Sequence, residues 1–367
     1  MSVLLMVSAL AGLGIALFNG ANDNGKPVAT LIGSGILSLR RGLLWGNIAT
    51  LLGAVAAIVW GSMLLKAFSG HGLLEGAITG QTAFLPAVGL GAAITVALAT
   101  RFSLPVSTTH ALLGGLVGAG WGLGGKVAWG MVAAKLAGPL LLSPLAAIAL
   151  TLVIVYPVRL LAGQASTRRC LCVSAGDLEV GTDGSLVMSS GISVQTGTIQ
   201  ECQPKGAWMM WPSPAQGMRW VHTFSALTVA FARGLNDTPK LAAMLLPLTF
   251  LGAGASIGVS AFAMGLGGWL FARGVARTMS QEITPLEDRE ADALAGNLST
   301  AFLILLASRW GLPVSTTHVA TGALVGAGAS RGTFNWRVLG TILIAWVTTL
   351  PLAAALSGAL VTLLGHL

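Results

Sequence analysis

The sequence predicts an all-α polytopic membrane protein, an inverted repeat of two transmembrane halves with broken helices and re-entrant hairpins. Three observations predict it. First, 54% of the 367 residues are apolar and 9% are charged, against about 25% charged in ordinary globular chains. Apolar runs long enough to cross a bilayer recur throughout. Second, the heptapeptide Leu104-Pro-Val-Ser-Thr-Thr-His110 returns as Leu312–His318, and Leu104–Gly120 matches Leu312–Gly328 at 13 of 17 positions. Third, basic loops fall at non-equivalent places in the two halves. Arg40-Arg41 follows the first broken helix while the matching turn, Gly252–Ser256, is uncharged, and the loop with Arg273 and Arg277 matches one holding only Lys66. Cytoplasmic loops gather Lys and Arg, so this asymmetry points to halves that face opposite ways. A transmembrane β-barrel would show alternating segments of about ten residues, which the pattern lacks.

In order, residues 3–38 read as an apolar stretch broken over Asn19–Pro27 by Gly20, Asn22, Asp23, Asn24, Gly25 and Pro27. Such a break is tolerated at membrane depth only where the freed backbone lines a cavity or packs against protein. Arg40 and Arg41 mark a loop, Leu43–Leu65 spans, and Lys66, His71 and Glu75 sit in a weakly polar loop before Ala83–Thr100 spans to Arg101. Leu104–Trp121, with Pro105 at its start and Gly114-Gly115 inside, is too short and glycine-rich to cross simply and reads as a re-entrant helix. Val127–Val158, bent by Pro139 and Pro144, is either one tilted helix or two shorter passes.

Residues 1–158 thus form a first transmembrane repeat, 159–215 a polar extramembrane linker, and 216–367 a second repeat. Within the linker, Cys170–Lys205 alternates Val, Ile and Thr with Gly turns, the pattern of a small β-hairpin insert. In the second repeat a helix from Trp220 is interrupted at Arg233–Pro239 and resumes to Leu251; Ala253–Phe271 spans; Arg273–Asp292 is a charged loop. Ala293–Ala307 then spans to Arg309, Leu312–Gly328 repeats the re-entrant pattern, and Trp336–Leu364 is the last helix. Met1–Phe18 lacks a basic start and runs directly into Asn22-Asp23, which argues against a cleaved signal peptide.

The formal charge of +8 follows from arginines clustered in loops. No compact basic patch interleaved with aromatics suggests nucleic acid, and none is expected as a partner. Cys170, Cys172 and Cys202 all lie in the linker. An odd count with CxC spacing matches neither a disulfide framework nor a closed zinc site. Reduced, cytoplasm-facing thiols are expected, with no metal site and no cofactor beyond a coupling Na⁺ or H⁺.

In each heptapeptide the proline suits the first turn of a helix, where its missing N–H is not needed. The following amides then point out of the helix end beside Ser107, Thr108 and Thr109, or Ser315, Thr316 and Thr317. Such an end can receive an oxyanion; alternatively its hydroxyl oxygens ligate a small cation such as Na⁺. His110 and His318 have three readings: bonding the anion, carrying a proton, or fixing the re-entrant tip.

A second duplicated element precedes each heptapeptide: Gly20-Ala-Asn22-Asp23-Asn-Gly-Lys26 and Gly234-Leu-Asn236-Asp237-Thr-Pro-Lys240. A carboxylate within a bilayer has a partner or a function. The i, i+3 spacing of Asp23–Lys26 and Asp237–Lys240 puts each pair on one helix face. An internal ion pair is compatible with Asn and Asp ligating a cation, or with Asp taking a proton. Arg233 stands where the first half has Asn19 and breaks the symmetry. The glycines are no dinucleotide fingerprint or P-loop, since no strand precedes them and no GK[ST] follows. An enzyme using Asp23/Asp237 and His110/His318 as acid–base groups is disfavoured, because a duplicated pattern suits a two-sided pathway; no catalytic residue is expected.

Duplicated G-x-N-D elements, each followed by P-x-S-T-T-H, in a chain split by a polar middle resemble the inorganic phosphate transporter (PiT, Pho4-type) family. The resemblance covers both halves and omits the central insert. It implies a secondary active permease for inorganic phosphate, multi-pass in the cytoplasmic (inner) membrane, commonly a homodimer, coupled to Na⁺ in some members and H⁺ in others. It further implies that Asn22, Asn236, Ser107, Thr108, Thr109, Ser315, Thr316 and Thr317 bind substrate, with Asp23 and Asp237 in coupling. The chain departs from the family element G-A-N-D-V-A-N, whose second Asn is replaced by Lys26 and Lys240. The expectation is that both ammoniums take the space of Na⁺ and that coupling is to H⁺ or weak, with H⁺ favoured over Na⁺. The rival expectation is that the lysines touch the anion and shift selectivity toward a sulfate-like oxyanion. A transporter of another oxyanion or of a metal–phosphate complex is the alternative on the same fold.

Overall fold

The computed structural model describes residues 3–70, 74, 77–166, 169–175, 178–180, 186–188, 192–198, 214–284, 286 and 289–366. The first half holds α1 (Val3–Asp23), α2 (Ala29–Gly33), α3 (Leu39–Trp60), α4 (Ser62–Phe68), α5 (Phe84–Arg101), α6 (Thr108–Gly122), the single turn α7 (Trp129–Met131) and α8 (Gly138–Ser166). The second holds α9 (Pro214–Ala242), α10 (Ala253–Phe271), α11 (Arg273–Arg277), α12 (Glu290–Arg309), α13 (Thr316–Ala329) and α14 (Trp336–Leu364). Seven helical runs among the described residues are long and apolar enough to cross a membrane, and the chain is a multi-pass membrane protein.

Several sequence expectations change: Lys66 and Arg273–Glu282 lie in helical turns rather than loops, and the helix expected to resume to Leu251 ends at Ala242. Arg40 and Arg41 lie in the first turn of α3 rather than in a loop. The second break is absent: α9 runs through Arg233–Pro239 without interruption. Proline normally breaks a helix, but here the Lys240 ammonium, one residue on, ties back to Asn236 and Asp237 on the preceding turn. In the first half the helix stops after Asp23, and a Cβ on Gly25 would come within 2.5 Å of the Ala276 side chain, so a residue without one lets the turn dock on α11. Val127–Val158 is a single pass, continuous from Trp129 through a π-helical turn at Val132–Ala137 into α8. His71 and Glu75 lie outside the described residues.

In the linker, β1 (Arg169–Ala175) pairs antiparallel with β4 (Ile192–Thr198), and β2 (Leu178–Val180) with β3 (Leu186–Met188). Cys170 and Cys172 stand on β1, opposite Gly197 and Gln195; Cys202 falls outside the described residues.

The two halves do not sit side by side. Helix α1 packs on α10, and its counterpart α9 packs on α3; α6 packs on α14, and its counterpart α13 on α8. Each half therefore lends its last helix to the re-entrant hairpin of the other. The closest approaches repeat under the same exchange. A Cβ on Gly20 would lie 1.8 Å from the Met264 carbonyl oxygen, and one on Gly234 would lie 2.0 Å from that of Thr50. A Cβ on Gly118 would meet the Ala354 carbonyl oxygen at 2.0 Å, and one on Gly326 that of Ile148 at 2.9 Å. In a membrane, small residues are what let helix backbones approach this closely. Both re-entrant helices are buried along almost their full length, which places their tips at the centre of the fold.

Candidate functional site

The site is assembled from the last turn of α1, the turn after it, the C-terminal turns of α9, and the first turns of α6 and α13. Ser107 and Ser315 cap those two helices, their Oγ atoms accepting from the amides of His110 (3.1 Å) and His318 (3.2 Å). Capping of this kind frees the preceding residues to adopt extended backbone, and that backbone supplies the carbonyls of Val106 and Val314 to the site.

Each lysine is held by the same four kinds of oxygen. Lys26 Nζ donates to Asn22 Oδ1 (2.9 Å), Asp23 Oδ1, the Val106 carbonyl (2.9 Å) and Thr317 Oγ1 (2.5 Å). Lys240 Nζ donates to Asn236 Oδ1, Asp237 Oδ1 (3.2 Å), the Val314 carbonyl (2.9 Å) and Thr109 Oγ1 (3.1 Å). The threonine in each set comes from the opposite half, so the two cages interlock. The other carboxylate oxygens are also taken: Asp23 Oδ2 accepts from Asn19 Nδ2 (2.8 Å) and Thr108 Oγ1 (3.1 Å), and Asp237 Oδ2 from Thr316 Oγ1 (3.2 Å) and Arg233 Nε (3.3 Å). Asn22 Nδ2 bonds Thr100 Oγ1 (3.0 Å) and the Leu104 carbonyl (2.9 Å), while Asn236 Nδ2 bonds Ser308 Oγ (2.9 Å). All twelve substrate and coupling residues expected from the sequence thus fall in one buried cluster.

Arg233 is the asymmetric member and is 1% exposed. Its guanidinium reaches Asp237, Asn24 Oδ1 and Asn19 Oδ1, joining α9 to α1 and the turn after it. Asn24 in turn bonds Asn47 Oδ1 on α3 and the Met264 carbonyl on α10 (3.3 Å). Formally, Arg233, Lys26 and Lys240 face Asp23 and Asp237, leaving the cluster one positive charge in excess, a bias toward an anion. The sequence pointed to Asn24 only as part of the helix break and to Asn19 only as the counterpart of Arg233, and Asn47 was not singled out. For Asn47 the signal is an amide side chain standing alone in apolar helix, and for Asn19 its place four residues before Asp23. Such groups cost free energy unless bonded.

His110 and His318 meet edge to face at 4.5 Å between ring centroids, where the two re-entrant tips touch. His318 also lies against Trp346 at 3.8 Å and directs Nδ1 to the Leu140 carbonyl at 3.2 Å. Trp346 Nε1 donates to the Pro105 carbonyl (3.0 Å). The imidazoles thus tie the tips to α14 and α8, which favours the tip-fixing reading over anion contact.

A profile of the phosphate transporter family (PHO4) matches residues 19–357. A Thermococcus kodakarensis protein provisionally named a phosphate permease is 29% identical over 98% of this chain and 97% of its own. A Rhizobium meliloti protein provisionally named a low-affinity inorganic phosphate transporter is 28% identical over 97% of both chains. Among solved structures, one titled "The sodium-dependent phosphate transporter" superposes with a TM-score of 0.78 at 21% identity, covering 100% of both chains. At that identity the likeness speaks to the fold.

Proposed function

The chain belongs to the phosphate transporter family, and from that premise we propose that it is a secondary active permease moving inorganic phosphate across the cytoplasmic membrane, coupled to H⁺ rather than Na⁺. The observation that carries the coupling is the pair of oxygen cages. Two carbonyl-type oxygens, a carboxylate and a hydroxyl converging on one point are the ligands a hard cation takes. Here an ammonium fills that point in each half. A fixed ammonium supplies the charge without a free ion, which leaves Asp23 and Asp237 as the groups able to exchange a proton. The solved relative carries sodium dependence in its title; Lys26 and Lys240, where the family motif has Asn, are the reason to expect otherwise in this chain.

The same cages weigh against lysines that bind the anion. An ammonium has three N–H donors, and each faces four protein oxygens, so none is spare for phosphate or for a sulfate-like substitute. The anion is instead met by the two re-entrant helix ends, with Ser107, Thr108 and Thr109 on one side and Ser315, Thr316 and Thr317 on the other. The exchanged packing of the halves supports an inverted repeat of 1–158 and 216–367 about the 159–215 linker, working by alternating access, and a homodimer is the assembly proposed. No covalent chemistry is involved.

Uptake of labelled phosphate into proteoliposomes, with Na⁺ and pH gradients imposed separately, tests the reading. Uptake should follow the pH gradient and ignore Na⁺; strict Na⁺ dependence overturns the coupling. Excess sulfate or selenate should leave uptake unchanged, and strong competition would favour the other-oxyanion alternative. Uptake that requires a divalent cation would favour the metal–phosphate alternative.

A further inference from the structure

Among the described residues, a file of polar side chains leaves the site on one side. Thr30 Oγ1, one turn beyond Lys26, donates to Asn297 Oδ1 of α12 (3.1 Å), and Asn297 Nδ2 donates to Ser225 Oγ of α9 (3.2 Å). Ser225 is bonded back to the His222 carbonyl (2.7 Å). A cavity of about 10 Å³ touches Lys26, Thr30, Asn297 and Thr300, room for about one water. His222, one turn further along α9, is 0% exposed, and neither ring nitrogen has a partner among the described residues.

The file leads toward one end of the molecule. His222 precedes Arg233 by eleven residues, about 16 Å along a helix, close to half of a hydrocarbon core about 30 Å thick. At that end Arg159, Arg219 and Arg331 pair with Glu290 and Asp292, and the 159–215 linker attaches there. The density of arginine marks this end as cytoplasmic.

Among the described residues the first half has no such file. Shifting by the motif offsets of 214 and 208 residues, the counterparts of His222, Ser225, Thr30, Asn297 and Thr300 are Ser8, Ala11, Met244, Gly89 and Ala92. The structure confirms the correspondence. Where Asn297 bonds Ser225, a Cβ on Gly89 would meet the Ala11 side chain at 3.0 Å, and Ser8 turns its hydroxyl back to the Leu4 carbonyl (2.7 Å). The equivalent wall is apolar. A duplicated transport site therefore carries four polar replacements along one exit, with an imidazole in place of a hydroxyl at its outer end.

We propose that this file is the route by which protons pass between the Asp23–Lys26 pair and the arginine-rich end, with His222 as the relay. A proton from water at that end binds a free imidazole nitrogen of His222. It passes along Ser225 and Asn297 to the water-sized cavity beside Thr30, Asn297 and Thr300, and is accepted by the Asp23 carboxylate; the reverse path releases it. The inference rests on the proton coupling proposed above. The charged groups on elements packed against this part of α9 are Arg219 on α9 itself, Glu290 and Asp292 on α12, Arg159 on α8 and Arg40 and Arg41 on α3; α2 carries none. Glu290 is engaged by Arg219 and Asp292 by Arg159 and Arg331, so neither carboxylate is committed to the imidazole.

The test compares two fluxes in proteoliposomes. Net phosphate uptake under a pH gradient needs proton transfer, whereas exchange of labelled for unlabelled internal phosphate at equal pH does not. His222→Leu and His222→Gln should slow net uptake roughly tenfold or more, in the range that loss of a proton-transfer group costs, while exchange stays near wild type. Asn297→Leu, which dries the file without touching the imidazole, should do the same and stands in if the His222 variants fail to fold. A parallel loss of both fluxes, or unchanged net uptake, overturns the relay. Wild-type uptake indifferent to pH gradients would instead overturn the coupling, a separate result.

Discussion

Replacing Lys26 with Asn should make the stability of the fold respond to sodium. The substitution removes the ammonium and leaves Asn22 Oδ1, Asp23 Oδ1, the Val106 carbonyl and Thr317 Oγ1 directed at the point it occupied. Breaking a buried ion pair by removing one partner costs about 3–5 kcal/mol, and Asp23 and Lys26 are 1% and 4% exposed, so the full range applies. A cation entering the vacated cage offsets part of that loss. For an assumed affinity of about 10 mM, 100 mM Na⁺ returns about 1.4 kcal/mol. At about 2–4 °C per kcal/mol the Tm should rise by about 3–6 °C. The assay is intrinsic fluorescence of the 11 tryptophans during heating in detergent, with Na⁺, K⁺ or choline at constant ionic strength. Lys26→Asn should melt lower than wild type and recover with Na⁺ alone; Lys240→Asn should behave alike, because its cage is the same. A wild-type Tm that climbs with Na⁺ as steeply as the variant's would refute the reasoning, as would a folded variant indifferent to Na⁺.

Three further outcomes are expected. Gly20→Ala and Gly234→Ala, whose Cβ atoms would fall 1.8 and 2.0 Å from backbone oxygens, should lose at least about 1–3 kcal/mol, while Gly258→Ala, with nothing within 4 Å, should melt like wild type. Arg233→Leu strips Asp237, Asn19 and Asn24 of a shared donor and should cost about 3–5 kcal/mol while weakening phosphate binding, read by calorimetry on whatever folded fraction remains. Asp292→Asn should lower Tm well beyond Glu290→Gln. The Asp292 side chain is 2% exposed between two guanidiniums, whereas the Arg219–Glu290 pair is 62% and 25% exposed, where a pair is worth about 0–1 kcal/mol.

What could be read from the sequence was what repeats or runs locally. The duplicated heptapeptide located both capped re-entrant helices, and Trp336–Leu364 was found residue for residue. Val/Ile alternation marked strands that do pair. Local rules failed where a tertiary partner overrides them. Pro239 suggested a break, but its turn is held by Lys240 reaching back to Asn236 and Asp237. Likewise no periodicity shows that Thr317 serves Lys26 and Thr109 serves Lys240, since that crossing depends on how two distant tips meet. Arg233 was visible as a break in symmetry, yet its reach to Asn19 and Asn24 required the packing of α9 on α1. The polar file drew no reading from the sequence: Asn297 and His222 repeat no motif, and their mirror residues gain meaning once Gly89 is seen against Ala11.

The crossing of the last helices has a consequence for how the chain is made. Helix α6 ends at Gly122 and the helix it packs against, α14, begins at Trp336. Ribosomes add about 5–20 residues per second, so α6 waits roughly 10–40 s for its neighbour to be synthesised. During that interval the Gly114–Gly118 face has no Leu350 or Ala354 to meet, and the polar tip at Val106–His110 has neither Thr317 nor His318. The insertion machinery, or a lipid, must shelter the first hairpin until translation is nearly finished. A nascent chain arrested before Trp336 should therefore remain bound to that machinery, with its first hairpin open to cross-linking.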